Sequence, residues 1–398
     1  MPSTRTQVAV VGAGPAGLTL ANVLRRNGVD CVLIEAASRS FIERRPRAGF
    51  LEEWAVRALE RHGLAGRLLR TAERHGACEF RYDGARHAFA YAELTGRHHF
   101  VYPQQELVTD LVGHFADDGG DVRFEVRDVE LHDLLSGQPS VTCTGPDGER
   151  HRISCDYIAG CDGARGVSRS HLPADSTVFA QHDYGVGWLA VLAEAPPSAD
   201  GVVFGIHPRG FAAHMARSPQ VTRFYLECPP GDDEAAWPDE RVWEELRARL
   251  AVPGGELAEG RLIEKRVLDM HNYVVAPMSH GRLHLAGDAA HLVAPIGAKG
   301  MNLALHDALL LAEAFTAHYG TGDDTGLAGY SAAGLRRVWQ YQEFSQWFSE
   351  LLHGPTAGSR DADPFRAGVA GARLRRLLDS PAAAAAFAEL YIGRYPEY

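Results

Sequence analysis

Three glycines near the N-terminus have a spacing that can bring bare backbone amides against a phosphate. They follow the apolar run 7–11 and precede a segment with helical periodicity, so they lie at a strand-to-helix turn. Glu35 ends the next apolar run, where a carboxylate can accept hydrogen bonds from ribose hydroxyls. The pattern predicts a dinucleotide site in a βαβ unit; the alternative is a tight turn without a ligand. The motif residues are Gly12, Gly14, Ala16 and Gly17.

Two later segments carry groups that suit a flavin. Residues 159–169 form a strand that ends in Asp162 and is followed by Arg165 and Arg169. A second strand delivers Asp288, which can accept hydrogen bonds from ribityl hydroxyls, and a glycine-rich loop then opens a helix. Amides at that helix start could face the electron-rich pyrimidine end of a flavin. The residues concerned are Lys299, Gly300, Met301 and Asn302.

Together these segments resemble the flavoprotein aromatic hydroxylases, and the similarity extends over nearly the whole chain. The match also includes residues 45–49 and 207–211, His75, Gln104, Arg217, Arg223, Tyr225 and Tyr391. The resemblance implies a single-component, homodimeric monooxygenase in which NADPH or NADH reduces FAD. Oxygen then adds to give a flavin C4a-hydroperoxide, whose distal oxygen attacks a 4-hydroxybenzoate-type acid. The alternatives are a flavin reductase, or a non-catalytic flavoprotein that binds aromatic acids, on the same fold.

The resemblance also implies roles for individual residues. Arg217 would clamp the substrate carboxylate, with Tyr225 in support, because a planar guanidinium can bind a carboxylate bidentately. Their spacing of eight residues across a turn predicts facing positions on neighbouring strands. The Pro295 carbonyl would lie beside the ring, and Tyr391 and His75 would form a proton path. FAD would be bound by the motif glycines with Ala16, by Glu35, Arg45, Arg47, Ala48, Gln104, Asp162, Arg223 and Asp288, and by residues 299–302. The nicotinamide co-substrate would be bound by Arg45, Arg165, Arg169 and His271.

The chain departs from the family pattern at the expected substrate site. Phe204 replaces a tyrosine, Met215 replaces a serine and Ile296 replaces a threonine, so three polar groups are lost. Since phenylalanine neither donates nor accepts a hydrogen bond, activation would go through Tyr391 alone, through water, or through a ring already activated by another group such as an amine. We expect a substituted acid such as 3-amino-4-hydroxybenzoate. Ala36 replaces an arginine implicated in binding the 2′-phosphate, which leaves the choice between NADPH and NADH open.

The elements that position these residues predict an α/β fold. The first and last parts of the chain resemble an FAD-binding, Rossmann-like domain of the glutathione-reductase type, interrupted by a mixed-sheet substrate domain and followed by C-terminal helices. We place the boundaries at 1–175, 176–274 and 275–398. A single core rarely exceeds roughly 250–300 residues, which favours more than one domain.

Composition excludes other classes of protein. The 398 residues carry a formal net charge of -11, which argues against nucleic-acid binding. No run approaches the ~18 apolar residues of a membrane span, and no leader precedes the first strand. Six dispersed cysteines predict neither disulfides nor zinc and favour a reducing cytoplasm. The remaining histidines, including His98 and His99, lack metal-ligand spacing, so no metal is predicted and we interpret them as surface or structural residues.

Overall fold

The computed structural model describes residues 2–45, 49–354 and 363–394. The predicted FAD ligands Arg47 and Ala48 therefore lie outside the described residues. The strands are β1 (Ser3–Arg5), β2 (Val8–Val11), β3 (Cys31–Ile34), β4 (Phe50–Glu52), β5 (Glu73–His75), β6 (Cys78–Tyr82), β7 (Ala85–Phe89), β8 (His99–Val101), β9 (Asp121–Arg123), β10 (Arg127–His132), β11 (Ser140–Thr144), β12 (Arg150–Ser154), β13 (Tyr157–Gly160), β14 (Val178–Glu194), β15 (Val202–Ile206), β16 (Ala212–Ser218), β17 (Val221–Cys228), β18 (Arg261–Ala276), β19 (Ser279–His280), β20 (Leu283–Leu285) and β21 (His291–Leu292).

The α-helices connect and cover these strands. They are α1 (Pro15–Arg26), α2 (Arg39–Ile42), α3 (Glu53–Arg61), α4 (Gly66–Thr71), α5 (Tyr91–Thr95), α6 (Gln104–Asp117), α7 (Asp239–Arg249), α8 (Gly300–Thr321), α9 (Thr325–Leu352), α10 (Pro364–Asp379) and α11 (Pro381–Tyr391). Short 3₁₀ turns occur at Ser168–His171, Glu234–Ala236 and Gly287–Ala289. No helix in the described ranges combines the length and apolar character needed to span a lipid bilayer.

A six-stranded sheet in the order β19-β20-β13-β2-β3-β9 carries the predicted dinucleotide motif. Within this order, each pair of neighbouring strands from β20 to β9 is parallel. Strands β2, β3 and β13 are buried along their whole length, as expected for parallel strands covered on both faces. Because α1 follows β2 directly and packs on β2 and β3, its N-terminus lies at the carboxyl ends of these strands, and α8 packs along α1.

An eight-stranded mixed sheet in the order β21-β18-β14-β17-β16-β15-β6-β7 forms the second large element. One of its faces packs with α7 around Leu189, Phe224 and Trp243, while the other faces the C-terminal helices through an aromatic cluster. The sheet therefore has an outer face closed by α7 and an inner face directed towards the rest of the protein.

The predicted fold class is confirmed: a Rossmann-like α/β unit, a mixed sheet and C-terminal helices are all present. The mixed sheet takes β6 and β7 from before residue 176 and β21 from after residue 274. The chain thus crosses between the two large sheets more often than a single insertion requires. The three domain boundaries remain predictions.

Candidate active site

The glycine turn after β2 is shaped by contacts at two glycines and by open space at the third. A Cβ on Gly12, whose φ is +103°, would overlap the carbonyl oxygen of Cys161, and a Cβ on Gly17 would overlap the carbonyl oxygen of Gly12. A Cβ on Gly14 would meet nothing within 4 Å. Packing within the protein thus does not require a glycine at position 14. The close approach of a pyrophosphate to the uncapped N-terminus of α1 would require one.

Glu35 braces the same turn from the end of β3. Its Oε2 accepts a hydrogen bond from the Ala13 amide at 2.7 Å, and its Oε1 accepts one from the Ala37 amide at 2.8 Å. A carboxylate has about four acceptor positions, so capacity remains for ribose hydroxyls. The half-buried position of Glu35 fits the ribose contact expected from the sequence.

Asp162 and Arg169 close the loop that follows β13. Asp162 Oδ2 accepts hydrogen bonds from the amide and the hydroxyl of Ser168 at 2.8 and 2.9 Å. Burial raises the pKa of Asp162, and among the described residues its Oδ1 has no hydrogen-bond partner. Arg169 lies over the Tyr273 ring at 4.8 Å and donates to the Ala164 carbonyl at 2.7 Å. Its guanidinium is thus largely engaged within the protein, and its predicted contact with nicotinamide remains a prediction.

The Asp288 turn is supported by a buried ion pair. Asp307 Oδ2 accepts hydrogen bonds from the Gly287 amide at 2.9 Å and from His291 Nε2 at 2.6 Å. Burial opposes the charge on Asp307, but His291 outweighs it and lowers the pKa of Asp307 to about 2. Burial likewise opposes the charge on His291, yet Asp307 raises its pKa above the ordinary value. The Tyr273 hydroxyl donates to the Asp288 carbonyl, so the turn is held from both sides.

Lys299 and Asn302 use their side chains within the protein. Lys299 Nζ lies 2.6 Å from Glu52 Oε1 and donates to the carbonyls of Leu390 and Tyr391 at 2.9 and 2.7 Å. Asn302 Oδ1 accepts from the Glu52 amide at 2.9 Å. Any contact of these two residues with a flavin would therefore use the backbone at the start of α8. Sequence reasoning missed Glu52. A glutamate within an apolar run, in a chain with only two lysines, is nevertheless a usable signal for a buried ion pair.

The inner face of the mixed sheet collects the predicted substrate residues. Register pairs Phe204 with Ala213, Ala213 with Tyr225, and Met215 with Arg223, so these side chains share one face. Phe204 stacks on Phe80 with centroids 5.6 Å apart. Arg223 is 6% exposed, and among the described residues its Nε lacks a partner. The face thus combines an apolar aromatic floor with a buried donor that suits the predicted flavin contact.

Arg217 lies at the end of β16, beside Tyr225 on β17. The prediction of neighbouring strands is confirmed, but the prediction of directly facing positions is wrong. Tyr225 pairs with Ala213 because the β16–β17 turn lies at residues 219–220, so the facing pair that is eight residues apart is Met215 and Arg223. Arg217 still hydrogen-bonds Tyr225, and burial lowers the pKa of its guanidinium.

Gly49 creates the space for the Arg217 guanidinium. A Cβ on Gly49 would overlap Arg217 Nη1, so only glycine leaves room there. Arg217 also lines a surface cavity of about 380 Å³, together with Tyr102 and Ser218. An anion from solvent can therefore approach this buried positive charge.

Pro295, Ile296 and Gln104 occupy three different environments. Pro295 is exposed and its carbonyl accepts from the Ala298 amide at 3.2 Å, which forms a turn before α8. Ile296 is 1% exposed within the aromatic cluster. Gln104 is half-buried at the first position of α6. Their predicted roles at the ring and at FAD remain predictions.

Tyr391 and His75 are both buried, and His99 contacts each of them: it pairs with His75 across β5 and β8 and packs on the Tyr391 ring. Tyr391 ends α11, and its ring stacks on Phe387 at 5.5 Å and lies 6.4 Å from Phe204. Burial raises the pKa of Tyr391 well above its ordinary value, so its phenol holds a proton. His75 on β5 is 8% exposed, and burial lowers its pKa despite Glu73 at 3.7 Å. His99, which the sequence analysis interprets as a surface or structural residue, is buried against Tyr391.

The residues predicted to bind nicotinamide fall into two groups. Arg45 and Arg165 are exposed, and burial together with the charges of Arg266 and Arg165 lowers the pKa of Arg45. His271 is half-buried on β18, where it pairs with Asp183 of β14. The structure thus brings Arg45 and Arg165 together with Arg266, which sequence reasoning missed because β18 is distant in the chain.

One exposed turn brings together possible metal ligands that sequence reasoning also missed. The side chains of Asp147, Glu149 and His151 lie close enough to bind one ion, but exposed acidic groups commonly cluster in this way without a bound metal.

Comparisons with known proteins agree with this arrangement. A family model described as an FAD binding domain matches residues 5–345. The p-hydroxybenzoate hydroxylase of Acinetobacter baylyi is 38% identical over 395 residues, which cover 99% of this chain and 96% of that protein. A 3-(3-hydroxy-phenyl)propionate/3-hydroxycinnamic acid hydroxylase of Mycolicibacterium gilvum is 29% identical over 316 residues, covering 77% of this chain and 52% of that protein. The crystal structure of a p-nitrophenol 4-monooxygenase from Pseudomonas putida has a TM-score of 0.84 at 22% identity, with 100% of both chains covered, which shows a shared fold.

Proposed function

The chain belongs to the FAD-binding aromatic hydroxylases, and from that premise we propose that it hydroxylates a 4-hydroxybenzoate-type acid, with 3-amino-4-hydroxybenzoate as the first candidate. FAD and a nicotinamide co-substrate follow from the family, whereas the identity of the acid is our proposal. The observation that carries it is the buried Arg217 guanidinium, hydrogen-bonded to Tyr225 at the edge of an aromatic face.

The residues present fit FAD. The open space in front of Gly14 would admit a phosphate. The unpartnered Oδ1 of Asp162 would supply an acceptor to the cofactor, and the unpartnered Nε of Arg223 would supply a donor. When bound and reduced, FAD supplies the oxygen chemistry that protein side chains cannot perform. The protein orients the acid, keeps water away and controls protons.

A substrate carboxylate suits Arg217. The guanidinium lines a cavity that opens to solvent, and its planar fork can bind a carboxylate bidentately. With the carboxylate held there, the aromatic ring would lie along the face formed by Phe204 and Ala213. This surface is apolar and excludes water, and stacking on aromatic rings favours a planar substrate.

The ring substituent follows from what Phe204 lacks. No hydrogen bond to the substrate hydroxyl can come from this side chain, so Tyr391, with its phenol proton retained, is the nearest candidate donor. An amino group on the ring donates electron density without needing a protein base. A polarisable, half-buried Met215 can adapt to the extra substituent.

The test is NADPH and NADH oxidation by the purified FAD enzyme with a panel of acids, with products identified by mass. The panel contains 4-hydroxybenzoate, 3-hydroxybenzoate, 4-aminobenzoate and 3-amino-4-hydroxybenzoate. We expect the amino-hydroxy acid to accelerate oxidation most and to gain one oxygen atom. Acceleration by 4-hydroxybenzoate alone would refute the amino-substituted candidate. If no acid accelerates oxidation while FAD stays bound, a non-hydroxylating or non-catalytic flavoprotein is favoured instead.

A Phe204→Tyr variant sharpens the substrate test. The added hydroxyl would give a hydroxyl donor on the inner face, so we expect the preference to shift towards 4-hydroxybenzoate. Phe204→Leu is the matched control, because it changes ring packing without adding a donor. Equal preference in both variants would show that the hydroxyl has no influence on ring activation.

Two further proposals concern the state of the protein in the cell. We propose a homodimer, by resemblance, and a cytoplasmic location, from the cysteine usage of the sequence. Analytical ultracentrifugation of the FAD enzyme tests the first, and localisation of a tagged chain in its host tests the second.

A further inference from the structure

Two buried residues outside all the assigned sites pack directly against Tyr391. Tyr91 begins α5 and His99 begins β8, and each is 1% exposed. Their ring centroids lie 5.2 and 5.0 Å from that of Tyr391, both in edge-to-face geometry. Phe387 stacks on the Tyr391 ring at 5.5 Å. The ring of Tyr391 is therefore held by Phe387, Tyr91 and His99, with Phe348 and Phe204 edge-on at 6.0 and 6.4 Å.

Hydrogen bonds join these residues into a chain. The Tyr91 hydroxyl donates to the His75 carbonyl at 2.5 Å and lies 3.2 Å from His99 Nδ1. The backbone carbonyl of Tyr391 belongs to the last turn of α11, where no later turn of the helix supplies a donor. Lys299 donates to this carbonyl at 2.7 Å.

Proton counting assigns the form of His99. The single hydroxyl hydrogen of Tyr91 is used on His75, and a neutral imidazole offers one N–H. Because the Tyr91 oxygen can then only accept, the imidazole hydrogen lies on Nδ1 and is donated to the Tyr91 hydroxyl at 3.2 Å. Burial, Lys299 and the adjacent His75 and His98 all oppose a second proton and hold the pKa of His99 well below its ordinary value. His99 is thus a neutral imidazole protonated on Nδ1.

We propose that Tyr91 and His99 are positioning residues for hydroxylation: their rings hold the Tyr391 ring against the substrate face. The proposal rests on the proposed function, in which Tyr391 is the proton-holding group nearest the acid. Because His99 fixes the Tyr91 hydroxyl and both rings contact the Tyr391 ring, a change at either residue lets the phenol shift. A misplacement of about 1 Å can cost roughly a hundredfold in rate.

The activity test compares variants of His99 in the FAD enzyme. We expect His99→Leu to lower kcat for hydroxylated product by about tenfold to a hundredfold, with KM for the acid and the affinity for FAD unchanged. His99→Gln keeps one donor and one acceptor and should restore most of kcat. The control is His98→Leu, since His98 is adjacent to His99, half-buried and just before the start of β8, and its kcat should equal that of the unaltered enzyme.

A spectroscopic readout follows Tyr391 without turnover. Tyrosine labelled with ¹³C at the ring Cζ gives one resonance for Tyr391, which Tyr391→Phe identifies. We expect this resonance to move in His99→Leu and to stay in place in His98→Leu. If His99→Leu fails to fold, Tyr91→Phe replaces it, because it removes only one hydroxyl.

Each outcome has a separate meaning. An unchanged kcat or an unmoved Tyr391 resonance in the folded variant overturns the proposal, and so does a loss that tracks FAD release. A loss of kcat with a moved resonance supports it. If the unaltered enzyme hydroxylates no acid but the resonance moves as expected, the proposed function fails while the positioning of Tyr391 by His99 stands.

Discussion

Replacing Lys299 with methionine should destabilise the protein far more than the same replacement at Lys265, the other lysine of the chain. The Lys299 ammonium and the Glu52 carboxylate are both 0% exposed and lie 2.6 Å apart. Lys299→Met keeps the volume of the side chain but leaves Glu52 as a buried charge without its cation. Two carbonyls, at Leu390 and Tyr391, also lose the donor that lies 2.9 and 2.7 Å away.

The magnitude follows from what remains around Glu52. Its Oε2 keeps hydrogen bonds from Trp54 Nε1 at 2.5 Å and from the Tyr341 hydroxyl, whereas Oε1 loses its ion pair. Breaking a buried ion pair by removing one partner costs about 3–5 kcal/mol. Lys265 offers a matched control in the same chain, since it pairs with the exposed Asp239 at 2.7 Å. Such a partly exposed pair contributes about 0–1 kcal/mol, so Lys265→Met should change little.

The assay is urea unfolding of both variants as FAD-free protein, followed by circular dichroism. We expect the midpoint of Lys299→Met to fall with an unchanged slope, because the exposed surface does not change. Adding Glu52→Gln to Lys299→Met should recover much of the loss, since no unpaired charge is then buried. Equal midpoints for Lys299→Met and Lys265→Met would refute the reasoning and would mean that Glu52 is neutral in the folded protein.

Three further predictions concern the substrate, the cofactor and pH. Arg217→Lys removes bidentate binding of the carboxylate, so the Kd of the acid, measured by flavin absorbance changes, should rise about tenfold to a hundredfold; an unchanged Kd would place the carboxylate elsewhere. Glu35→Gln weakens the charge-assisted bonds to the Ala13 and Ala37 amides, and calorimetry should show FAD affinity lower by about 1–3 kcal/mol, whereas equal affinity would exclude a role for the charge. The raised pKa of His291 means that its stabilisation is present below pH 6.5 and is lost as pH rises through the folded-state pKa. Urea midpoints of the unaltered protein should therefore decline as the pH rises through the folded-state pKa of His291. Asp307→Asn removes the ion-pair partner of His291 and should flatten this decline. Parallel curves for the two proteins would contradict a stabilising His291–Asp307 pair.

Local patterns in the chain were enough to predict the cofactor fold. Gly12, Gly14 and Gly17 with Glu35 lie in one βαβ unit within a short stretch, so the local sequence is enough to recognise the pattern, although Gly12 also packs against Cys161. The resemblance then identified the aromatic hydroxylases, which the family match and the full-length similarity confirm. Sequence also located Arg217 and Tyr225 on adjacent strands, but the β16–β17 turn at 219–220 makes Ala213 the direct partner of Tyr225. The register depends on where the turn falls, and a spacing of eight residues alone does not fix it.

Only the tertiary structure decided what surrounds the reacting groups. Lys299 and Glu52 are 247 positions apart, and nothing in either local sequence shows that their charges meet in the core. The space that Gly49 leaves for Arg217 and the packing of Tyr91 and His99 on Tyr391 are likewise contacts between distant elements. Periodicity and motifs report the φ/ψ preferences and the buried faces of single elements. Which buried side chains become neighbours depends on how those elements pack, and that is a property of the folded chain as a whole.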